Sequence, residues 1–368
     1  MTLEDCFCTI VGGGPVEHPE LTVPTATLLA TADALEVSEL LHHRLAGASG
    51  WPAHVRFELA RRAHTAAARE LVRTAETRDI LCALARHGVR PIVFKGAALS
   101  HLVYDSASLR PHSDTDLLAR RSDVEIIRRV LTERGYSEPP MTGGELVFCQ
   151  FQMVRTDDLG VQHVFDVHWK ISTQSLFANL LTFDELDDDA VPIEALGPDA
   201  RGAGPAHSLL LACIHPVMHH RNVERLIWLY DIHLLVGSMP AVDIRRFATL
   251  AIRKGMTGIC ARQLQRAAER FDTRLPPDLL RTLSAASAGE ESAAYLRPRR
   301  RWHHEMVANV RHLERWADRV RLLREVLFPS PKYMLDSYHL GASGVLLLPV
   351  LYVHRNVYGA FKILTGRK

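Results

Sequence analysis

Residues Pro91 to Leu118 read PIVFKGAALSHLVYDSASLRPHSDTDLL. An apolar run ends in a Lys-Gly turn, a short helical segment follows, and an Arg-bearing connection leads to Ser-Asp-Thr-Asp and two leucines. Read as a strand, Ser113 to Leu118 alternates its side chains between faces, so Asp114 and Asp116 project to one side and Thr115 to the other. Two carboxylates that close repel and are costly to leave dry. A divalent cation is the commonest reason for such a pair to exist.

Outward from this stretch, the pattern before it is helical. Thr25 to about His87 carries Ala, Leu and Arg at helical spacing, and Gly88 sits where a helix C-cap belongs. After it, Ser122 followed by Glu125 reads as a capping box, opening a helix with Val124, Ile127, Val130 and Leu131 on one face and Gly135 at its end. Leu146 to Val154 and Val161 to Trp169 read as strands. In the second, Asp166 and His168 share a face opposite Phe165, Val167 and Trp169, so a third carboxylate is available on a neighbouring strand. The order helix, strand, helix, strand, helix, strand, strand describes a small α+β module rather than a long doubly wound sheet.

Composition bounds the rest. The chain has 368 residues, enough for two or three domains, and a net charge of +2 that does not mark a polyanion binder. Six cysteines without a CxxC pair point to reduced thiols in a cytoplasmic setting and against zinc-ribbon or disulfide scaffolds. Glu4 and Asp5 near the N-terminus, with no basic segment before an apolar run, argue against a secretory signal. The apolar run Val345 to Val353 is interrupted by Pro349 and falls far short of the roughly 20 residues a spanning helix needs. Gly12 to Gly14 follow a short apolar run, but Pro15 and the missing GxGxxG pattern favour a loop or arm over a phosphate cradle. The acidic, then Pro/Gly-rich stretch Asp184 to Pro205 reads as a loop or domain boundary.

Lys95-Gly96, then Arg110, then Asp114-x-Asp116, then Asp166 within FDVHW resemble the uncharacterised nucleotidyltransferase family of the polymerase-beta-like superfamily. LLLACIHPVMHH and RLIWLYDIHLL are similar to that family's downstream helical segment, so the resemblance covers roughly residues 25 to 365. It implies an α+β fold with a small polymerase-beta-like catalytic core at 88–190, N-terminal helices at 1–87 and a mainly helical C-terminal region at 205–368. It also implies transfer of a nucleotidyl group from an NTP, with Mg2+ or Mn2+ held by Asp114, Asp116 and Asp166. One departure stands out: superfamily members commonly carry Gly-Ser where this chain has Lys95-Gly96.

The physical case stands beside the resemblance. Nucleotidyl transfer needs a neutralised triphosphate and an acceptor brought in line, which two divalent ions on three carboxylates supply. Asp166 is placed both to bind metal and to help deprotonate the acceptor. Lys95 and Gly96 lie at a strand-to-helix turn, where backbone N–H groups favour a phosphate; the plain alternative is a tight turn with an exposed lysine. Arg110 either clamps a phosphate or pairs with acids. His168 and Ser113 are candidate supporting groups, and a hydrogen-bonded structural histidine is an equal reading of the first.

His215, His219 and His220 form an HPxxHH cluster without the glutamate of HExxH, which favours packed or hydrogen-bonded histidines over a zinc protease. The basic stretch Arg299 to Phe328 keeps Trp302, Met306, Val310, Leu313, Ala317, Val320 and Leu323 at the spacing of a buried stripe. Its arginines read as a solvated face rather than an RNA site. The rival functions are a DxD-type glycosyltransferase using a nucleotide-sugar and a non-catalytic nucleotide-binding module. No motif separates a peptide, a small metabolite, a sugar phosphate or an RNA end as acceptor.

Overall fold

The expected alternation of strands and helices is present, built around one mixed sheet. The computed structural model describes residues 2–15, 23–48, 50–139, 149–220, 222–296, 306–307, 309–311, 313 and 315–365. Helices α1 (Leu3–Val11), α2 (Thr25–Ala34), α3 (Ser38–Arg44) and α4 (Ala53–Arg86) precede strand β1 (Ile92–Phe94). Then come α5 (Lys95–Leu102), β2 (Thr115–Leu118), α6 (Val124–Glu133), β3 (Gln150–Thr156) and β4 (Gln162–His168). The chain continues through α7 (Ser175–Ala178), α8 (Phe183–Asp188), β5 (Val191–Pro192) and β6 (Arg201–Gly202). Helices α9 (Pro205–His220), α10 (Leu226–Ser238), α11 (Ala241–Arg253), α12 (Thr257–Phe271) and α13 (Leu279–Ala286) follow, and further helices span Trp316–Leu327, Pro331–Ser337 and Leu348–Thr365. Among the described residues no helix is long and apolar enough to cross a membrane.

The six strands run in the order β3-β4-β2-β1-β6-β5. Strand β2 pairs antiparallel with β1 and parallel with β4, with Phe94 opposite Asp116 and Asp116 opposite Asp166. Period-two alternation then sorts the sheet into two faces. Val93, Leu117, Phe165 and Val167 pack with Ile80, Leu84, Ile127 and Leu131 of α4 and α6. Ile92, Phe94 and Leu118 join a larger core on the other face, which the N-terminal helices share with α9 to α13. Asp116, Asp166 and His168 lie on that second face, buried among groups that must satisfy them.

Four local expectations are corrected. The segment before Gly12 to Gly14, expected as part of a loop or arm, is helix α1, and the glycines follow its end as turn and loop: Thr2 and Asp5 form its capping box, and Phe7, Ile10 and Val11 are buried. The apolar residues there recur at helical spacing, and Gly12 and Gly13 terminate the helix rather than cradle a ligand. The capping box expected at Ser122 and Glu125 does not form; a 3-10 turn over Arg121–Asp123 leads into α6, and Ser122 Oγ donates to Asp123 Oδ1 at 3.0 Å instead. The stretch read as a loop, Asp184 to Pro205, holds most of α8 and strands β5 and β6, and β6 pairs parallel with β1 beside the catalytic candidates.

The basic C-terminal stripe is the fourth. Residues 297–305, with Trp302, lie outside the described residues. In Trp316–Leu327 the buried residue is Leu322, whereas Ala317, Val320 and Leu323 are exposed. Gly88 and Gly135 do follow helix ends as expected, each with positive φ (75° and 84°) that a Cβ would disfavour.

Candidate active site

The parallel register of β2 and β4 brings Asp116 level with Asp166. Both are 5 % exposed, and His168, at the end of β4, is 1 % exposed. One ligand atom from each of Asp116, Asp166 and His168 lies within 4.8 Å of the others, the single such grouping among the described residues. Asp114 sits one residue before β2 and lines the same cavity, but its carboxylate is not among the three that converge. Burial raises the Asp114 carboxyl to about 6, reinforced by the like charges of Asp116 and Asp166 and opposed by Lys95.

Asp116 is the hub. Lys95 Nζ donates to its Oδ1 at 2.6 Å, and His168 Nε2 donates to the same oxygen at 2.9 Å. Burial works to raise Asp116, yet the ammonium and imidazole overcome it and hold the carboxyl well below the usual range. His168 shows the converse: burial and the Lys95 ammonium press it down, while Asp116 and Asp166 leave it above its ordinary value. Gln150 Nε2 donates to Asp166 Oδ2 at 2.9 Å, and Asp166 Oδ1 is buried with no hydrogen-bond partner. An acceptor-only oxygen left bare beside a second carboxylate suits a cation. Because His168 Nε2 already donates to Asp116, the carboxylates are the groups fitted to hold one, and oxygen ligands match Mg2+ or Mn2+.

Lys95 and Gly96 lie at the turn between β1 and α5, where the sequence placed them. Lys95 has φ of 57°, a left-handed conformation unusual for a residue with a side chain. A glycine would meet this backbone without strain. Lysine accepts it and in exchange sets an ammonium on Asp116. Lys95→Gly and Lys95→Ala both remove that charge, but only glycine relieves the backbone. Lys95→Gly is therefore expected to be the more stable of the two by roughly 1 kcal/mol, read from their urea midpoints. Equal midpoints would contradict the strain.

Arg110 is placed differently from a phosphate clamp. Its Nε and one terminal nitrogen donate to Asp231 Oδ1 and Oδ2, both at 2.8 Å, and the other terminal nitrogen donates to the Pro111 carbonyl at 2.7 Å. Tyr104 Oη also donates to Asp231 Oδ1, at 2.7 Å. Of the readings open in the sequence, pairing with an acid is the one realised, and the acid is on α10 rather than in the DxD segment. Ser113 Oγ lies 3.3 Å from Asp114 Oδ1 and is exposed.

Lys95, Arg110, Asp114, Asp116, Asp166 and Asp231 line a cavity of about 610 Å3 between the sheet, α4, α5, α9 and α10. Its volume falls within the range of small-molecule sites, roughly 300–1,000 Å3. Glu70, from α4, contributes a carboxyl that burial raises to about 7, against the lowering field of Arg73 and a hydrogen bond from Thr74. His101 and His112 each stand 3.8 Å from it. His215, His219 and His220 also border the cavity.

Asp231, Tyr104, Gln150 and Glu70 were not singled out from sequence. Asp231 had a signal: an isolated acid inside the apolar run Leu226 to Val236 must find a buried cation. Glu70 had none, because α4 is rich in charge throughout its length.

Among curated proteins none matches the chain. The family model described as uncharacterised nucleotidyltransferase matches residues 23–272, more than half the chain, and spans Glu70, Asp114, Asp116, Asp166 and Asp231. With that match added to the sheet, the paired aspartates and the strand-to-helix turn, the chain belongs to this family of uncharacterised nucleotidyltransferases.

Proposed function

We propose that the protein transfers an NMP group from an NTP to an acceptor hydroxyl or phosphate, releasing pyrophosphate, in a reaction that depends on Mg2+ or Mn2+. The observation that carries this reading is the bare, buried Oδ1 of Asp166 in register with Asp116, on the wall of a cavity that Lys95 also borders. Asp114, Asp116 and Asp166 would hold the cation, which when bound neutralises triphosphate charge and polarises the α-phosphate.

The protein's own groups divide the remaining work. The acceptor oxygen forms a bond to the α-phosphorus as the bond from that phosphorus to the pyrophosphate oxygen breaks, and the acceptor's proton passes to Asp166 or to solvent. Lys95 offers an ammonium to the phosphates, and the Gly96 turn offers backbone N–H groups. His168 and Gln150 fix the orientations of Asp116 and Asp166 through the bonds described above.

The test incubates the protein with each NTP, Mg2+ or Mn2+, and peptide, metabolite, sugar-phosphate and RNA acceptors, following pyrophosphate and labelled product. Cation-dependent pyrophosphate release that EDTA abolishes is expected. Consumption of a nucleotide-sugar without pyrophosphate, or nucleotide binding with no turnover over the whole panel, would count against the proposal.

A further inference from the structure

The HPxxHH histidines are left without work by the acids, and their surroundings suggest some. His215 and His220 lie on the last turns of α9, and Trp228 on the first turn of α10. The His220 and Trp228 rings are 4.4 Å apart with a 34° tilt, close to an offset stack. Arg225 places its guanidinium 4.9 Å from the Trp228 ring centroid. His215 meets His220 and Trp228 edge-on, at 4.8 and 4.9 Å.

We propose that this aromatic wall, with His220 as its outer ring and Trp228 and His215 behind it, is the platform on which the nucleobase of the NTP stacks. The inference rests on the nucleotidyl-transfer reading and adds the part of the substrate that the acids do not recognise.

Three observations favour a base over the bland reading of packed histidines. All three rings border the cavity that holds Asp116 and Asp166, so a ligand with a polar and a flat apolar end can reach both. His220 is only half-buried, and apolar Leu99, Leu211 and Ala212 line the same space. The imidazoles are also kept neutral: burial lowers His215, His219 and His220, and the fields of Arg225 at His220 and of Lys95 at all three add to it. A neutral ring stacks on a base without first shedding a hydration shell. A metal role is disfavoured, since the histidines form no metal-compatible grouping among the described residues.

The platform is built from side chains around a helix end, and the sequence explains that end. Pro216 lacks an N–H and interrupts the bonding of α9, and Asn222 N donates to the Pro216 carbonyl at 2.8 Å to close the turn. His220 and Trp228 are thereby brought together from either side of a short connection.

Binding to the full chain in Mg2+ tests the inference, with α,β-methylene analogues of ATP, GTP, CTP and UTP set against inorganic tripolyphosphate. The wild type is expected to bind at least one nucleotide more tightly than tripolyphosphate. His220→Ala should weaken that nucleotide about tenfold or more and leave tripolyphosphate unchanged, whereas His220→Phe, which keeps a flat ring, should retain the preference. Trp228→Leu, a second variant, should behave like His220→Ala. Equal binding of nucleotide and tripolyphosphate by the wild type overturns the platform while sparing nucleotidyl transfer. So does a preference unchanged in both His220→Ala and Trp228→Leu, or loss of both ligands together in those variants, which would assign the rings to the frame of the site. A wild type that binds neither ligand overturns the platform and the transfer reading alike.

Discussion

Asp166→Asn is expected to reduce pyrophosphate release by at least about a hundredfold while leaving the fold as stable as before or more so. The two effects separate because of what Asp166 touches. Its Oδ2 accepts one bond from Gln150 and stands 3.5 Å from the His168 Nε2 that Asp116 already holds, its Oδ1 accepts none, and the carboxylates of Asp114 and Asp116 lie beside it. An amide keeps most of the shape and removes a like charge from a buried group of acids, which relieves repulsion when no cation is present. A stabilising residue would show the opposite sign. Mg2+ should raise the unfolding midpoint of the wild type and should fail to raise that of Asp166→Asn, since only a ligand bound to the native state shifts the equilibrium. Asp116→Asn should abolish activity as well, but with a loss of stability, because the Lys95 ammonium and the His168 imidazole both lose the negative charge they are bonded to. Unimpaired pyrophosphate release by Asp166→Asn would remove the carboxylates from the mechanism.

Much of this site was legible in the sequence, for a physical reason. Strand alternation is a rigid rule, so Asp166 and His168 had to share a face, and the apolar Phe165 and Val167 had to face the core that they do. The parallel register that sets Asp116 beside Asp166 depends on β2 and β4 meeting across some 50 residues, and no local pattern encodes it. Asp114 illustrates the limit of alternation: β2 begins at Thr115, so the two-residue rule does not extend back to it. The acidic stretch after Asp184 does not read as strand because β5 and β6 have only two residues each, too few for a period, and the pairing of β6 with β1 and of β5 with β6 supplies what composition lacks. The N-terminal helix was missed for a simpler reason. Thr2 and Asp5 carry the signal of its start in their capping box, and the three glycines mark only its end.

Arg110, open in the sequence to a phosphate or an acid, pairs with an acid in the fold, and that partner supports the second large prediction. Asp231→Ala is expected to cost about 3–5 kcal/mol of stability, measured by urea unfolding, because it leaves a buried guanidinium unpaired. Arg110 is 6 % exposed and Asp231 3 %, so water cannot take the place of the lost carboxylate. The geometry is bidentate, which is the strong form of this pair, and Tyr104 adds a third bond to the same acid. Tyr104→Phe removes only that third bond and should cost about 1 kcal/mol. Burial also keeps the effect from being screened, so the cost of Asp231→Ala should be nearly the same at low and high salt. Removing both charges together, as Arg110→Met with Asp231→Leu, should recover most of the loss, since neither apolar side chain leaves an ion behind. The consequence reaches the site because Arg110 lies four residues before Asp114 and its guanidinium also holds the Pro111 carbonyl, so α10 braces the segment that carries the acids. Asp231→Ala should therefore lower pyrophosphate release even at temperatures where the variant is fully folded, and the apolar double variant, which restores stability without that brace, should remain slow. A loss below about 1 kcal/mol for Asp231→Ala would show that the guanidinium finds another acceptor, and the brace would have to be abandoned.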